Sequence, residues 1–349
     1  MVSAIDRLKA FARAAAAPVS SMERRIVAAT GLPVVWEAAR DPVHAAVAGA
    51  LAPAAAAEDF AALAVGFDRL FAEKEFCGTG YRTYRVAHEA LMAPMERAAA
   101  VADGRVAEAC LARYADWWAR NKSDPAAAAV YARALTVAGY VWRGSGCAES
   151  VAAEGWDKLR DYCGQARGVL AHAGPRGRRH WLWRQADFTL TFAAWGCEAE
   201  DEGLLLPSFA AVQTLDPHEF GIYDDRALHL LPRWSGSLAA VDRFARASAD
   251  RTAAQFGELL YARIYDTVLG YEDPETTLVD AGRLLRGFGD WFERFPGQAL
   301  ANRYAAHAHA FGDFATLETL FRDGLREIHP GHWFDRDQPI EAWRAVAAR

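Results

Sequence analysis

The stretch Trp181-Leu-Trp-Arg-Gln-Ala-Asp-Phe-Thr-Leu-Thr-Phe-Ala-Ala-Trp195 decides the fold. Trp181, Gln185, Phe188, Phe192 and Trp195 follow one another at intervals of four, three, four and three residues. This is the spacing of one stripe on a helix of about 3.6 residues per turn, with Arg184 and Asp187 falling outside it. The pattern predicts a helix that buries this stripe. Phe256, Leu260, Ile264, Val268 and Tyr271 repeat the period, as do Leu300, Tyr304, Ala308 and Phe311. No segment alternates with period two at comparable strength, and Asp103-Gly104 and Asp323-Gly324 lie between helical patterns rather than between strands. The expected class is all-α.

The punctuation between these runs is also helical. Asp-Pro occurs at Asp41-Pro42, Asp124-Pro125, Asp216-Pro217 and Asp273-Pro274. The carboxylate can cap free N–H groups, and Pro at the first helical position gives up no bond. Helices are therefore expected after Asp41, after Asp124 through Val141, and after Asp273 through a run containing Leu278, Leu284, Leu285, Phe288, Trp291, Phe292 and Phe295. The motif Gly, any residue, apolar, Ala appears at Gly104–Ala107, Gly236–Ala239 and Gly312–Ala315. Gly in a left-handed C′ position followed by a small Ala is how one helix turns tightly into the next. The separations share no common period, which excludes a regular tetratricopeptide array and leaves an irregular, tetratricopeptide-like solenoid of antiparallel helix pairs. The chain divides near residue 122 into an N-terminal helical region, 1–122, and a C-terminal helical-repeat region, 123–349, or runs on as one continuous solenoid.

With 349 residues and 52% hydrophobic content, the chain is long enough to bury a substantial core. Acidic residues number 45 against 39 basic ones, giving a net charge of −6, which argues against nucleic acid and anionic membranes as partners. Only Lys9, Lys74, Lys122 and Lys158 are lysines, and Ala makes up about a fifth of the chain, as a GC-rich bacterial genome would give. The five cysteines, Cys77, Cys110, Cys147, Cys163 and Cys197, are spread out and form no Cys-x-x-Cys pair, so neither disulfides nor zinc are expected and a reducing cytoplasm fits. Residues 1–13 read as an amphipathic helix interrupted by Asp6, Arg7, Lys9 and Arg13. The uncharged run from Pro42 to Ala57 is too short and too Ala-rich to span a bilayer.

Several clusters are candidate sites. Asp216-Pro-His-Glu-Phe-Gly-Ile-Tyr-Asp-Asp-Arg-Ala-Leu-His229 offers Asp216, His218, Glu219, Asp224, Asp225 and His229 as possible metal ligands or acid/base pairs, although its spacing matches no established metal motif and such residues also serve as caps and turns. His307 and His309 diverge on a helix, one facing the core and one solvent. His329 and His332 flank a turn without a third ligand near in sequence. The basic-aromatic run Arg176-Gly-Arg-Arg-His-Trp-Leu-Trp-Arg184 contains Arg178 and Arg179, whose guanidinium groups suit an acidic protein partner, or pairing with Glu198, Glu200, Asp201 and Glu202. Among twelve Trp residues, the adjacent Trp117 and Trp118 cannot share one helix face. Trp117, Trp118 and Arg120, with Tyr81 and Arg85, are therefore candidate contacts to a partner, against the alternative that both rings pack between helix layers. No Gly-x-Ser-x-Gly elbow, phosphate loop, dinucleotide fingerprint or His-Glu-x-x-His occurs, and no cofactor is expected.

Leu231-Pro-Arg-Trp-Ser-Gly-Ser237, Phe244-Ala245, Leu300-Ala-Asn-Arg-Tyr-Ala305, Gly312-Asp313, Trp333 and Trp343-Arg344 together resemble an uncharacterised bacterial family. Its members carry a domain of unknown function with tetratricopeptide-like helical repeats and a Pro-Arg-Trp-Gly-Gly-Ser turn. The resemblance covers roughly residues 195–349 and departs from the pattern at Ser235 and Phe311. It implies a helical fold and assigns no catalytic residue. The expected function is a non-enzymatic binding module for a protein or peptide partner. The alternatives are an enzyme or a small-molecule or metal binder built on residues 216–229, and an immunity-type protein that neutralises a toxin.

Overall fold

A computed structural model describes residues 21–36, 41–146, 150–198, 202–234 and 236–349. Among these residues the regular structure is helical, no strand forms, and two isolated backbone bridges occur, Val34 with Ile328 and Phe76 with Arg82. No described helix is long and apolar enough to cross a membrane. The amphipathic N-terminal segment read from residues 1–13 lies outside the described residues.

Contacts divide the chain into two compact units. The first contains residues 43–77 and 81–222. The second contains 223–349 together with 78–80 and the described residues before Val43. Residue 122 lies inside the first unit.

In the first unit the helices run α2 (Pro42–Ala56), α3 (Phe60–Glu73), α4 (Tyr84–Ala100), α5 (Gly104–Arg120), α6 (Pro125–Arg143), α7 (Ala153–His172), α8 (Trp181–Glu198) and α9 (Glu202–Leu215). From α3 onward each helix packs on the next, and α4, α6 and α8 also lie against one another in series. Small side chains make this possible. Ala126 through Ala129, Ala132, Ala134 and Ala138 of α6 are buried, so neighbouring helices approach closely. A Cβ on Gly104 would lie 2.2 Å from the Trp142 ring, so close packing rather than a left-handed turn requires glycine there. Asp103 and Asp124 cap α5 and α6 by accepting from Arg105 N and Ala126 N. The stripe on α8 is buried as expected at Trp181, Gln185 and Phe188, while Phe192 is half-buried.

The helix α10 (Gly221–His229) follows a turn at Asp216-Pro217. The second unit contains α1 (Ser21–Thr30), α11 (Leu238–Phe256), α12 (Leu259–Leu269), α13 (Ala281–Arg294), α14 (Gln298–Ala310), α15 (Phe314–Thr319, continued by one π turn, Leu320–Gly324) and α16 (Gln338–Ala347). Consecutive helices from α11 to α16 pack together, and α1 lies on α16. Ile26, Ala301, Ala305, Leu317, Phe321, Ile328, Trp333 and Ile340 share one of its cores.

Three local expectations are corrected. The stripe from Phe256 to Tyr271 is not one helix: Gly257, at φ 52°, ends α11, and α12 begins at Leu259. After Asp273-Pro274 only a 3-10 turn forms; the helix starts at Ala281, capped by Asp280 accepting from Arg283 N, and Leu278 stays exposed. Of the three motif glycines, only Gly312 has the left-handed φ, at 73°. Gly236 is required because a Cβ there would lie 2.1 Å from the Leu230 carbonyl oxygen.

Candidate functional site

The densest set of buried charges lies in the first unit. It begins at Thr83, where the chain turns into α4, so that Arg82, Tyr84, Arg85 and His88 project from the helix start and its first turns. Arg82 is 5% exposed and meets Asp216, 1% exposed. Its Nη2 donates to Asp216 Oδ1 at 2.9 Å, and Nε lies 2.9 Å from Oδ2 in ionic contact without hydrogen-bond alignment. Tyr84 Oη donates to the same carboxylate at 3.1 Å, and the backbone N–H of His218 does so at 3.1 Å. The Phe76 ring centre lies 3.9 Å from the Arg82 guanidinium carbon, and Arg82 Nη1 donates to the carbonyl of Lys74. Two charges are thus buried at the cost of their hydration, and the surrounding hydrogen bonds offset it. Burial, reinforced by Glu219 and Asp216, holds the Tyr84 hydroxyl protonated well above its ordinary range.

Glu219 is the second buried carboxylate. It accepts from the backbone N–H groups of Gly221 and Ile222, each at 3.0 Å, and so caps the start of α10. Arg85 Nη1 donates to it at 3.3 Å. A Cβ on Gly221 would fall 2.3 Å from that Nη1, so glycine is what lets the guanidinium approach.

One turn along α4, the half-buried His88 stands edge-on to Trp181 of α8, with ring centres 6.1 Å apart. Burial first, then the positive charges of Arg85 and Arg133, hold the His88 pKa down at about 3, so the imidazole is neutral at pH 7. Arg133 comes from α6. It is half-buried, forms no ion pair with a described residue, and its Nη1 is buried without a hydrogen-bond acceptor. Trp181 Nε1 is likewise buried and has none. Tyr81, 37% exposed, lies at the edge of this group, its ring centre 5.5 Å from the Arg85 guanidinium carbon.

The second unit has its own polar centre. Asp266 Oδ2 accepts from Arg303 Nη1 at 2.6 Å and Oδ1 lies 3.1 Å from His307 Nε2. Burial raises the Asp266 pKa, but Arg303, His307 and Arg263 together outweigh it and hold the carboxyl at about 2. Beside this centre Asn302, fully buried, accepts at Oδ1 from His329 N and Trp333 Nε1, each at 2.9 Å. Its Nδ2 donates to the carbonyls of Gln298 and Glu327, also at 2.9 Å. The Asn within Leu300–Ala305 is therefore a clasp that holds the 327–333 segment on α14.

The residues singled out from the sequence fall in different settings. Tyr81 and Arg85 are brought together as described. Trp117 is buried against Phe60 and belongs to the core, which corrects its reading as a surface contact. Trp118 is half-buried between Tyr131 and His172. Arg120 is exposed at an open depression lined by 119–125 and Arg176. Arg178 and Arg179 are exposed; the Arg178 carbonyl accepts from Arg184 Nε at 2.9 Å. Burial raises the pKa of Asp187, and the positive charges of Arg184, Arg178 and Arg167 lower it in part. The pairing of Arg178 and Arg179 expected with Glu198, Glu200, Asp201 and Glu202 involves side chains outside the described residues.

His218 is half-buried in the first unit, its pKa lowered by burial. Asp224, Asp225 and His229 belong to the second. Asp224 forms a two-pronged pair with Arg263, at 3.0 Å from Nε and 2.7 Å from Nη2. Asp225 is half-buried, and burial holds His229 well below its ordinary pKa. Among the described residues no group of three or more His, Cys, Asp or Glu side chains is placed to hold a metal ion. His307 is buried and His309 half-buried, and His329 lies 2.7 Å from Glu327.

Sequence reasoning placed Arg82 and Tyr84 only within the run Tyr81-Arg-Thr-Tyr-Arg85 of partner contacts, and missed His88, Arg133, Asp266 and Arg303. The available signal for Arg133 is a lone cation inside the apolar run Ala126–Val141. No family model, no curated protein and no solved structure matches this chain significantly.

Proposed function

We propose that the chain is a non-enzymatic binding module for a protein or peptide partner, built as an irregular, tetratricopeptide-like stack of antiparallel helix pairs and acting in a bacterial cytoplasm. The observation that carries this reading is the serial packing of α4, α6 and α8 in the first unit. In stacked helix pairs, the helices that neighbour one another across successive pairs form a continuous layer, and that layer offers an extended face to a partner. The half-buried Tyr131, Arg133, Tyr140 and Trp142 of α6 are the kinds of side chain from which binding hot spots are made. Selection of a displayed random-peptide library against the full chain tests it. Enrichment of a peptide consensus with micromolar affinity is expected; failure to enrich any peptide would overturn it.

A further inference from the structure

We propose that Arg120, Lys122 and Arg176 of the first unit together receive the side-chain carboxylates of an acidic segment of the partner. The inference rests on the binding-module reading and gives it a ligand chemistry. The three side chains line one open depression of about 640 Å³ where α5 turns into α6, Arg176 being contributed by the helical turn Gly174–Gly177 that follows α7. All three are exposed, and none forms an ion pair with a described residue. Asp124 is the acidic residue of the lining, and its Oδ1 accepts from Ala126 N at 2.9 Å. Three positive charges thus stand against one negative charge, on a chain whose net charge is −6. The depression opens at the start of α6, one of the helices of the stacked layer.

The frame that carries these cations is fixed before a ligand arrives. Asp124 N donates to the Asn121 carbonyl at 2.9 Å, and Asn121 Nδ2 donates to the Trp117 carbonyl at 2.9 Å. Such preorganisation lowers the ordering cost of binding. Because the cations are open to water, each pair with a single anion gains little and is screened by salt. A chain bearing several carboxylates engages several cations at once, and so turns weak pairs into avidity. The guanidinium groups of Arg120 and Arg176 present planar forks whose complement is a carboxylate. A nucleic acid is served less well, because no aromatic ring lines the depression. The nearby Trp118 ring is taken by Tyr131, His172 and the Lys122 ammonium, with centres 5.5, 5.4 and 5.5 Å away, and offers no free platform for a base.

The test uses the full chain and a labelled peptide of five Glu-Ala repeats, acetylated and amidated so that only side-chain carboxylates are present, with its Gln-Ala counterpart as the neutral control. Fluorescence anisotropy at low salt is expected to give at least about tenfold tighter binding of the Glu peptide, with affinity falling as salt is added. The triple variant Arg120→Gln/Lys122→Gln/Arg176→Gln should weaken it at least about tenfold. Removing the same charge at exposed arginines already paired with Glu73, Asp157 and Asp323, in Arg69→Gln/Arg160→Gln/Arg322→Gln, should change it less than about twofold. Circular dichroism and thermal melting establish that both variants are folded. Independently of any variant, adding the Glu peptide to the wild type should move the side-chain Nε–H NMR resonances of Arg120 and Arg176. Equal binding of the two peptides, no binding of the Glu peptide, equal weakening by the two triple variants, unmoved Arg120 and Arg176 resonances, or tighter binding of an oligothymidylate at the same residues would each overturn the proposal. Library-selected peptides that bind but ignore the loss of Arg120, Lys122 and Arg176 would remove this site and leave the binding module standing. A library that enriches nothing removes the module itself.

Discussion

Arg82 and Asp216, 134 residues apart in sequence, meet through Nη2 and Oδ1 at 2.9 Å in a position almost closed to water. The contact ties the start of α4 to the turn that precedes α10. Breaking one side of such a pair leaves a buried charge uncompensated. Arg82→Met is therefore expected to cost about 3–5 kcal/mol in urea unfolding. The double variant Arg82→Met/Asp216→Leu should cost clearly less than the two single variants summed. A cost below about 1 kcal/mol for Arg82→Met would mean that the pair holds nothing together.

Asp266 makes stability depend on acid. Its folded pKa of about 2 lies below the ordinary carboxylate value, so the unfolded chain binds the proton more readily. Its contribution is complete above about pH 4 and disappears as the pH falls through 2, and it amounts to about 2 kcal/mol. Urea midpoints measured from pH 6 to pH 2.5 should fall more steeply for the wild type than for Asp266→Asn. Parallel profiles would refute the assignment.

Two glycines differ by what surrounds them. Gly236→Ala places a methyl group against the Leu230 carbonyl and is expected to cost about 1–3 kcal/mol. Gly164, within α7 and with open space around its would-be Cβ, should gain about 0.5–1 kcal/mol as Ala. Thermal midpoints moving in the same direction for both variants would contradict this account.

Much of the helix inventory is legible because burial and helix period coincide, as at Trp181, Gln185 and Phe188. Boundaries are less so. Asp273-Pro274 and Asp280 both look like caps, and only contacts decide that the second one starts α13; its neighbour Tyr261 accounts for part of this, since its hydroxyl accepts from the Asp280 N–H at 2.9 Å. The carboxylates of residues 216–229 were visible as a cluster. Their partners were not, because Arg82, Arg85 and Arg263 lie far away in the chain. Trp117 and Trp118 illustrate the same limit: adjacent rings on one helix must diverge, yet which neighbours receive them is a property of the packed layers. His88 and Arg133 carry no motif at all, and only their placement on α4 and α6 relates them.

Asn302 should act as a single clasp. Asn302→Ala removes two donated and two accepted hydrogen bonds around a buried amide. Each orphaned group costs roughly 1–3 kcal/mol. Amide exchange in residues 327–333 is expected to accelerate well beyond that of α13. Uniform acceleration across the second unit would indicate global destabilisation instead of release of this segment.

The most direct measurement of the binding reading is hydrogen exchange of the full chain with and without a library-selected peptide. Protection is expected to concentrate on α4, α6 and α8. Protection confined to other helices, with those three unchanged, would contradict the account.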